Sequence, residues 1–139
     1  MIRAAAALPA LLLLAECAEN PAAPSVLAGQ EFQLRPGESV ALKGSDLSVR
    51  LDAVASDSRC PADALCVTLG DAQAILTVAR VSLPATSLTL HTAPDQARRA
   101  SFGDWSLTLT RLDPYPYAGV RIAPRDYRAT LRVDRAPGS

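Results

Sequence analysis

The chain has 139 residues, and its 14 basic side chains balance its 14 acidic ones, so the formal net charge is zero. Nucleic-acid-binding proteins carry a basic stripe with interleaved aromatic residues, whereas here the arginines alternate with aspartates and apolar residues, so we expect no nucleic acid as a partner. This length is enough for one domain with a hydrophobic core and leaves too few residues for a second domain.

The N-terminal segment has the composition of an export signal. Arg3 precedes an apolar run over residues 4–15. About a dozen apolar residues after a positive charge are typical of a secretory signal peptide, since a membrane-spanning helix needs roughly 20. The sequence predicts a signal peptide at residues 1–16, a flexible tether at 17–29, a β-sandwich domain at 30–135 and a disordered tail at 136–139.

Cys17 follows the apolar run and is predicted to be a lipidation site. Leu14-Ala15-Glu16-Cys17 resembles the lipobox of bacterial lipoproteins, in which the cysteine receives a diacylglycerol, although Glu16 replaces the usual small residue. Ordinary secretion with cleavage further along is the alternative. The chain has three cysteines, and lipidation would account for the one left over if the other two pair. We therefore expect a lipoprotein of the bacterial cell envelope, anchored to a membrane and facing the periplasm.

Short blocks in which Val, Leu and Thr alternate with polar residues, separated by Gly or Pro, predict an all-β domain. We expect a single antiparallel β-sandwich or small barrel of about eight strands. The period of two places Ala53 on the inner face of its strand and places Arg111 on the same face as Trp105. The strands are predicted at 31–34, 39–42, 46–54, 65–69, 72–81, 87–91, 105–112 and 127–134, with a loop at 93–100.

Cys60 and Cys66 form the sharpest local signature of the exported part. Five residues separate them, and Pro61 turns the chain between them. In an oxidising envelope such a pair can close a small disulfide loop. A redox site would need a tighter C-x-x-C motif, and a zinc site would need four ligands. The sequence therefore predicts a Cys60–Cys66 disulfide, no metal site and no cofactor.

Two pairs of residues are candidates for partner binding. Asp57 and Arg59 flank the predicted disulfide, where they either support the turn or display Arg59 as a recognition residue on a rigid loop. Tyr115 and Tyr117 lie in a proline-rich crossing before the last strand, where they either cap the core or offer contact area at low entropy cost.

Three motifs together resemble a family of uncharacterised bacterial secreted proteins and lipoproteins. They are D-S-R-C-P at residues 57–61 followed by Cys66, D-P-Y-P at residues 113–116, and D-Y-R-A-T-L at residues 126–131. The resemblance covers residues 31–134. It implies a small exported β domain with the Cys60–Cys66 bridge, and it supplies no catalytic residue.

Catalysis finds little support among these residues. His91 is the only histidine, so a Ser-His-Asp triad would depend on it, and no G-x-S-x-G motif is present. We expect a binding or scaffolding module, with an unknown envelope protein or component as partner. One alternative is an inhibitor of an exported hydrolase. Another is a small hydrolase, which would need His91 beside an acid and a nucleophile in an open cleft.

Overall fold

Among residues 23–137, which the computed structural model describes, nine strands form two sheets. All paired strands are antiparallel except β1 and β3, which run parallel. The first sheet contains, in spatial order, β1 (Ser25–Val26), β3 (Ser39–Leu42), β4 (Leu47–Asp57), β5 (Ala72–Arg80) and β6 (Leu83–His91). The second contains β2 (Glu31–Leu34), β9 (Arg128–Arg135), β8 (Trp105–Asp113) and β7 (Arg99–Phe102).

The two sheets pack around one hydrophobic core, as the alternating pattern predicts. Leu47, Val49 and Leu51 of β4 are each at most 2% exposed. Leu107 of β8 and Leu131 of β9 belong to the same core cluster and are fully buried. Within the described residues the sheets stay open and form no closed barrel, so the all-β prediction is confirmed in its sandwich form.

Two register shifts change which residues face the core. The β4–β5 register shifts between Leu51 and Ala53, and Ala53 is exposed. The β8–β9 register shifts between Leu109 and Arg111, after which Arg111 is exposed and Leu112 is buried. The predicted inner positions of Ala53 and Arg111 are therefore wrong, because a bulge adds one residue and reverses the faces beyond it.

The structure also differs from the predicted strands in three segments between Leu65 and Phe102. Residues 65–69 form no strand, and Leu65 and Val67 project fully into solvent. β7 occupies part of the segment expected to be a loop. β6 includes Pro84, which is tolerated because β6 is an edge strand and because Pro84 lies at an irregularity of the β5–β6 register, where it has no paired residue.

The folded region begins earlier than residue 30. The N–H groups of Ala41 and Lys43 donate to the carbonyl oxygens of Pro24 and Val26 at 2.9 and 2.8 Å, which holds β1 on the sheet. At the other terminus, the N–H of Ala136 donates to the Asp104 carbonyl at 2.9 Å. The predicted signal peptide, Cys17, the first part of the tether and residues 138–139 lie outside the described residues. No helix within residues 23–137 is long and apolar enough to cross a membrane.

The two ends of the sandwich carry different features. β1 runs parallel to β3, toward the β3–β4 turn, so the chain reaches Ser25 from the direction of the opposite end. At that opposite end β4 finishes at Asp57 and β8 at Asp113, and a long connection follows each of these two strands. These connections are the cysteine loop (residues 58–71) and the tyrosine crossing (residues 114–127). We call this end the loop end.

Candidate functional site

Asp57 and Arg59 form a bidentate ion pair at the base of the cysteine loop. The Arg59 Nε–H donates to Oδ1 of Asp57 at 2.8 Å, and an Nη2–H donates to Oδ2 at 2.6 Å. The local sequence favours this geometry, since Asp57 Oδ1 also accepts the backbone N–H of Arg59 at 3.2 Å. The Arg59 side chain is only 5% exposed. Arg59 is therefore buried and supports the turn, which is one of its two predicted roles; the alternative, display on the surface, is wrong.

Arg59 also holds the tyrosine crossing against the cysteine loop. Its guanidinium donates to the carbonyl oxygens of Leu112 at 2.7 Å and Pro114 at 3.0 Å. The ring of Tyr115 packs on the same group, with 5.2 Å between the ring centroid and Cζ. The two carbonyl partners lie 53 and 55 positions further along the chain, so no local pattern could predict the burial of Arg59.

Tyr127 completes this buried cluster. Its hydroxyl donates to Oδ2 of Asp57 at 3.0 Å. Burial, together with the Asp57 charge and hydrogen bond, raises the pKa of Tyr127 to about 12. Burial by itself raises the pKa of Asp57, but the hydrogen bonds and charge of Arg59 outweigh it and hold that pKa below its usual value of 3.8. The contact between Tyr127 and Asp57 joins residues 70 positions apart and was not predicted from the sequence.

The disulfide between Cys60 and Cys66 closes the cysteine loop, which confirms the predicted pairing. The Cys60 N–H donates to the carbonyl of Leu69 at 2.8 Å and so joins the two sides of the loop. Gly70 has a φ of +69°, and a Cβ at this position would overlap the carbonyl of Ser58. Covalent, hydrogen-bonded and steric constraints therefore all define the shape of this loop.

The cysteine loop and the tyrosine crossing are joined directly as well as through Arg59. The N–H of Ala62 donates to the carbonyl of Pro116 at 2.9 Å. In the other direction, the N–H of Ala118 donates to Oδ1 of Asp63 at 2.8 Å. The two segments therefore form one continuous surface at the loop end.

Exposed apolar side chains are concentrated on this surface. Leu65 and Val67 are 105% and 104% exposed, so neither side chain is covered by the rest of the domain. The large exposed hydrophobic residues described elsewhere are Leu27, Val81 and Leu83, none of which belongs to the loop end. We call the exposed group at the loop end the apolar cap; it consists of Leu65, Val67, Leu69, Tyr115, Tyr117 and Val120. Tyr115 and Tyr117 are about half exposed and thus accessible, unlike Arg59.

His91 lies in an open cleft of about 600 Å³, one side of which is formed by the cysteine loop, including Leu69 of the apolar cap. Its Nδ1 is 2.6 Å from Oδ2 of Asp71, and Oδ1 of Asp71 accepts the N–H groups of Thr92 and Ala93 at 3.0 and 2.9 Å. Burial alone raises the pKa of Asp71, but these hydrogen bonds and the His91 charge outweigh it and lower that pKa. The acid that a hydrolase would need beside His91 is therefore present.

The nucleophile is not paired with His91. Ser58 lines the same cleft, but its hydroxyl donates to the carbonyl of Asp71 at 3.0 Å and accepts the Asp71 N–H at 3.1 Å. Among the described residues, no hydroxyl or thiol makes a hydrogen bond to His91. The contacts that are present join the start of β5 to the end of β6, which is a structural role.

Across residues 23–137, no three His, Cys, Asp or Glu side chains are grouped so that they could hold a metal ion. Comparisons with protein-family models, with curated proteins and with solved structures found no match.

Proposed function

We propose that this chain is an exported, lipid-anchored β-sandwich of the bacterial cell envelope that acts as a binding or scaffolding module through its loop end. The observation that carries the proposal is the apolar cap, because exposed apolar groups gathered on one surface mark sites of interaction. The sheets supply the frame, and the loop end supplies the contact area.

The rigidity of the loop end supports binding. The Cys60–Cys66 bridge, the buried Arg59 and the hydrogen bond from Ala62 to Pro116 restrict the loop in the absence of a partner. A surface that is already ordered loses less conformational entropy on association. The candidate binding residues on this view are Tyr115 and Tyr117, whereas Arg59, held by Asp57, positions Tyr115 by packing against its ring.

Export and anchoring rest on the N-terminal sequence and on the resemblance to secreted proteins and lipoproteins. Labelled palmitate should enter the wild-type chain and should not enter the Cys17→Ala variant. Equal labelling of both, or labelling of neither, would remove the lipid anchor from the proposal.

Binding is tested by photo-crosslinking in intact cells. A photoreactive amino acid replaces Val67 in the apolar cap or, as a control, Val81, which is also exposed but lies in the β5–β6 connection at the other end of the sandwich. We expect position 67 to give adducts with an envelope component and position 81 to give none. Absence of adducts at position 67 would contradict the proposal, while an adduct with an exported hydrolase would favour the inhibitor alternative.

A second candidate, a small hydrolase, is favoured by one contact, that between His91 and Asp71. The Asp71 carboxylate occupies Nδ1 of His91, so Nε2 is the ring nitrogen that remains for proton transfer. Hydrolysis of ester or amide substrates that is abolished in His91→Gln, with the fold intact, would support this candidate. Equal hydrolysis by wild type and variant would exclude it.

A further inference from the structure

We propose that the apolar cap docks on the lipid–water interface of the membrane to which Cys17 anchors the chain, so that the loop end of the sandwich faces and contacts the bilayer. This inference rests on the proposed function, because it names the envelope component that the loop end contacts. Four features of the described domain support it: the direction of the chain, the shape of the cap, its residue types and its charge.

The direction of the chain places the loop end toward the anchor. β1 runs away from the loop end, so the chain arrives at Ser25 from that side. Cys17 precedes Ala23 by only six residues, which span roughly 20 Å even when fully extended. An acylated Cys17 would therefore keep the domain near the bilayer, with the side that carries the cap toward the membrane.

The shape of the cap suits a deformable layer. The Leu65 and Val67 side chains project from a loop closed by the disulfide, and nothing in the domain covers them. A projecting apolar tip can enter the acyl boundary of a bilayer without a matching cavity. A protein partner would have to supply a concave pocket for the same tip. A second copy could offer only the open cleft beside His91, and self-association through that cleft is the competing outcome that the test below detects.

The residue types follow the polarity gradient of a membrane surface. Aliphatic Leu65 and Val67 form the projecting part, while Tyr115 and Tyr117 keep about half of their surface accessible beside it. Tyrosine is enriched at the headgroup level, because its ring is apolar and its hydroxyl is polar. This order of side chains is that of a segment lying in the interface.

Charge contributes little to this docking. The loop end carries three arginines and three aspartates, so its formal net charge is zero: Arg59, Arg121 and Arg125 against Asp63, Asp71 and Asp126. Docking by apolar insertion should therefore occur on zwitterionic lipid and should persist at high salt, where charge attraction is screened within about 3 Å at 1 M.

The test uses the full chain as isolated from cell membranes, reconstituted in phosphatidylcholine vesicles that contain brominated lipid. Val67→Trp reports the cap, and Val81→Trp is the matched control, since Val81 is 87% exposed at the other end. Trp105 is 4% exposed, and its signal in the unsubstituted chain is subtracted. We expect bromine quenching of at least half of the Val67→Trp signal in 0.1 M and in 1 M salt, with no quenching of Val81→Trp.

Several outcomes would overturn the inference: equal quenching at both positions, no quenching at position 67, or protection of position 67 by self-association without lipid. As a second measure, the Leu65→Ser and Val67→Ser substitutions should each reduce vesicle binding of the non-acylated chain by about tenfold, as expected for loss of one exposed aliphatic group. The intact mass of the isolated chain shows separately whether Cys17 is acylated. Failure of the anchor and failure of the cap to insert are thereby distinguished.

Discussion

The buried Asp57–Arg59 pair joins the cysteine loop to the tyrosine crossing. Removing its charges measures how much the pair contributes to the free energy of unfolding. Each charge is removed in turn and then both together, with the variants Asp57→Ala, Arg59→Met and the double variant. Asp57→Ala leaves the buried guanidinium with only two carbonyl acceptors, those of Leu112 and Pro114. Arg59→Met leaves the buried carboxylate with the Tyr127 hydroxyl and one backbone N–H.

The expected magnitude follows from burial. The two side chains are 9% and 5% exposed, so water cannot solvate the charge that remains in either single variant. Breaking such a pair costs about 3–5 kcal/mol, a large share of the roughly 5–15 kcal/mol that stabilises a typical domain. The double variant carries no unpaired buried charge, so its loss should be smaller than the sum of the two single losses.

The measurement is urea unfolding at pH 7, followed by the fluorescence of Trp105. This is the only tryptophan of the chain, and it is 4% exposed in the folded state, so its emission changes when the core opens. Arg132→Met serves as the matched control, because its ion pair with Asp134 is on the surface, where such a pair contributes at most about 1 kcal/mol. If the single variants lose less than about 1 kcal/mol, or if the losses simply add in the double variant, the pair is not the buried, coupled unit described above.

Three further predictions concern the same end of the molecule. The pKa of Asp57 is lower in the folded state than its usual value of 3.8, so the ionised carboxylate stabilises the fold above pH 3.8 and this stabilisation is lost as the pH falls through the folded-state pKa. Urea midpoints measured from pH 7 to pH 2 should show this loss in the wild type, and the Asp57→Asn variant should lack it. Gly70→Ala should destabilise the domain strongly, because the added Cβ overlaps Ser58; an unchanged melting temperature would disprove that packing. Replacing Cys60 and Cys66 by Ser should lower the unfolding free energy by about 2 kcal/mol, the chain-entropy value for so small a ring, and an unchanged urea midpoint would count against it.

The class of the fold and the covalent link could both be predicted from local sequence. Alternation with a period of two is a local property, and it predicted most of the strands and their buried faces, as in Leu47, Val49 and Leu51. The Cys60–Cys66 pairing could also be predicted, because a short separation and a turn-forming proline bring the two sulfurs together without help from distant residues.

Where the local pattern fails, the outcome depends on contacts between distant parts of the chain. Bulges reversed the faces at Ala53 and Arg111, since an extra residue in one strand depends on the partner strand. Residues 65–69 alternate like a strand yet pair with no sheet, and Arg59 is buried because Leu112 and Pro114 accept its hydrogen bonds from more than 50 positions away. Hydrogen-bond partners that come together only on folding leave no periodic trace in the sequence.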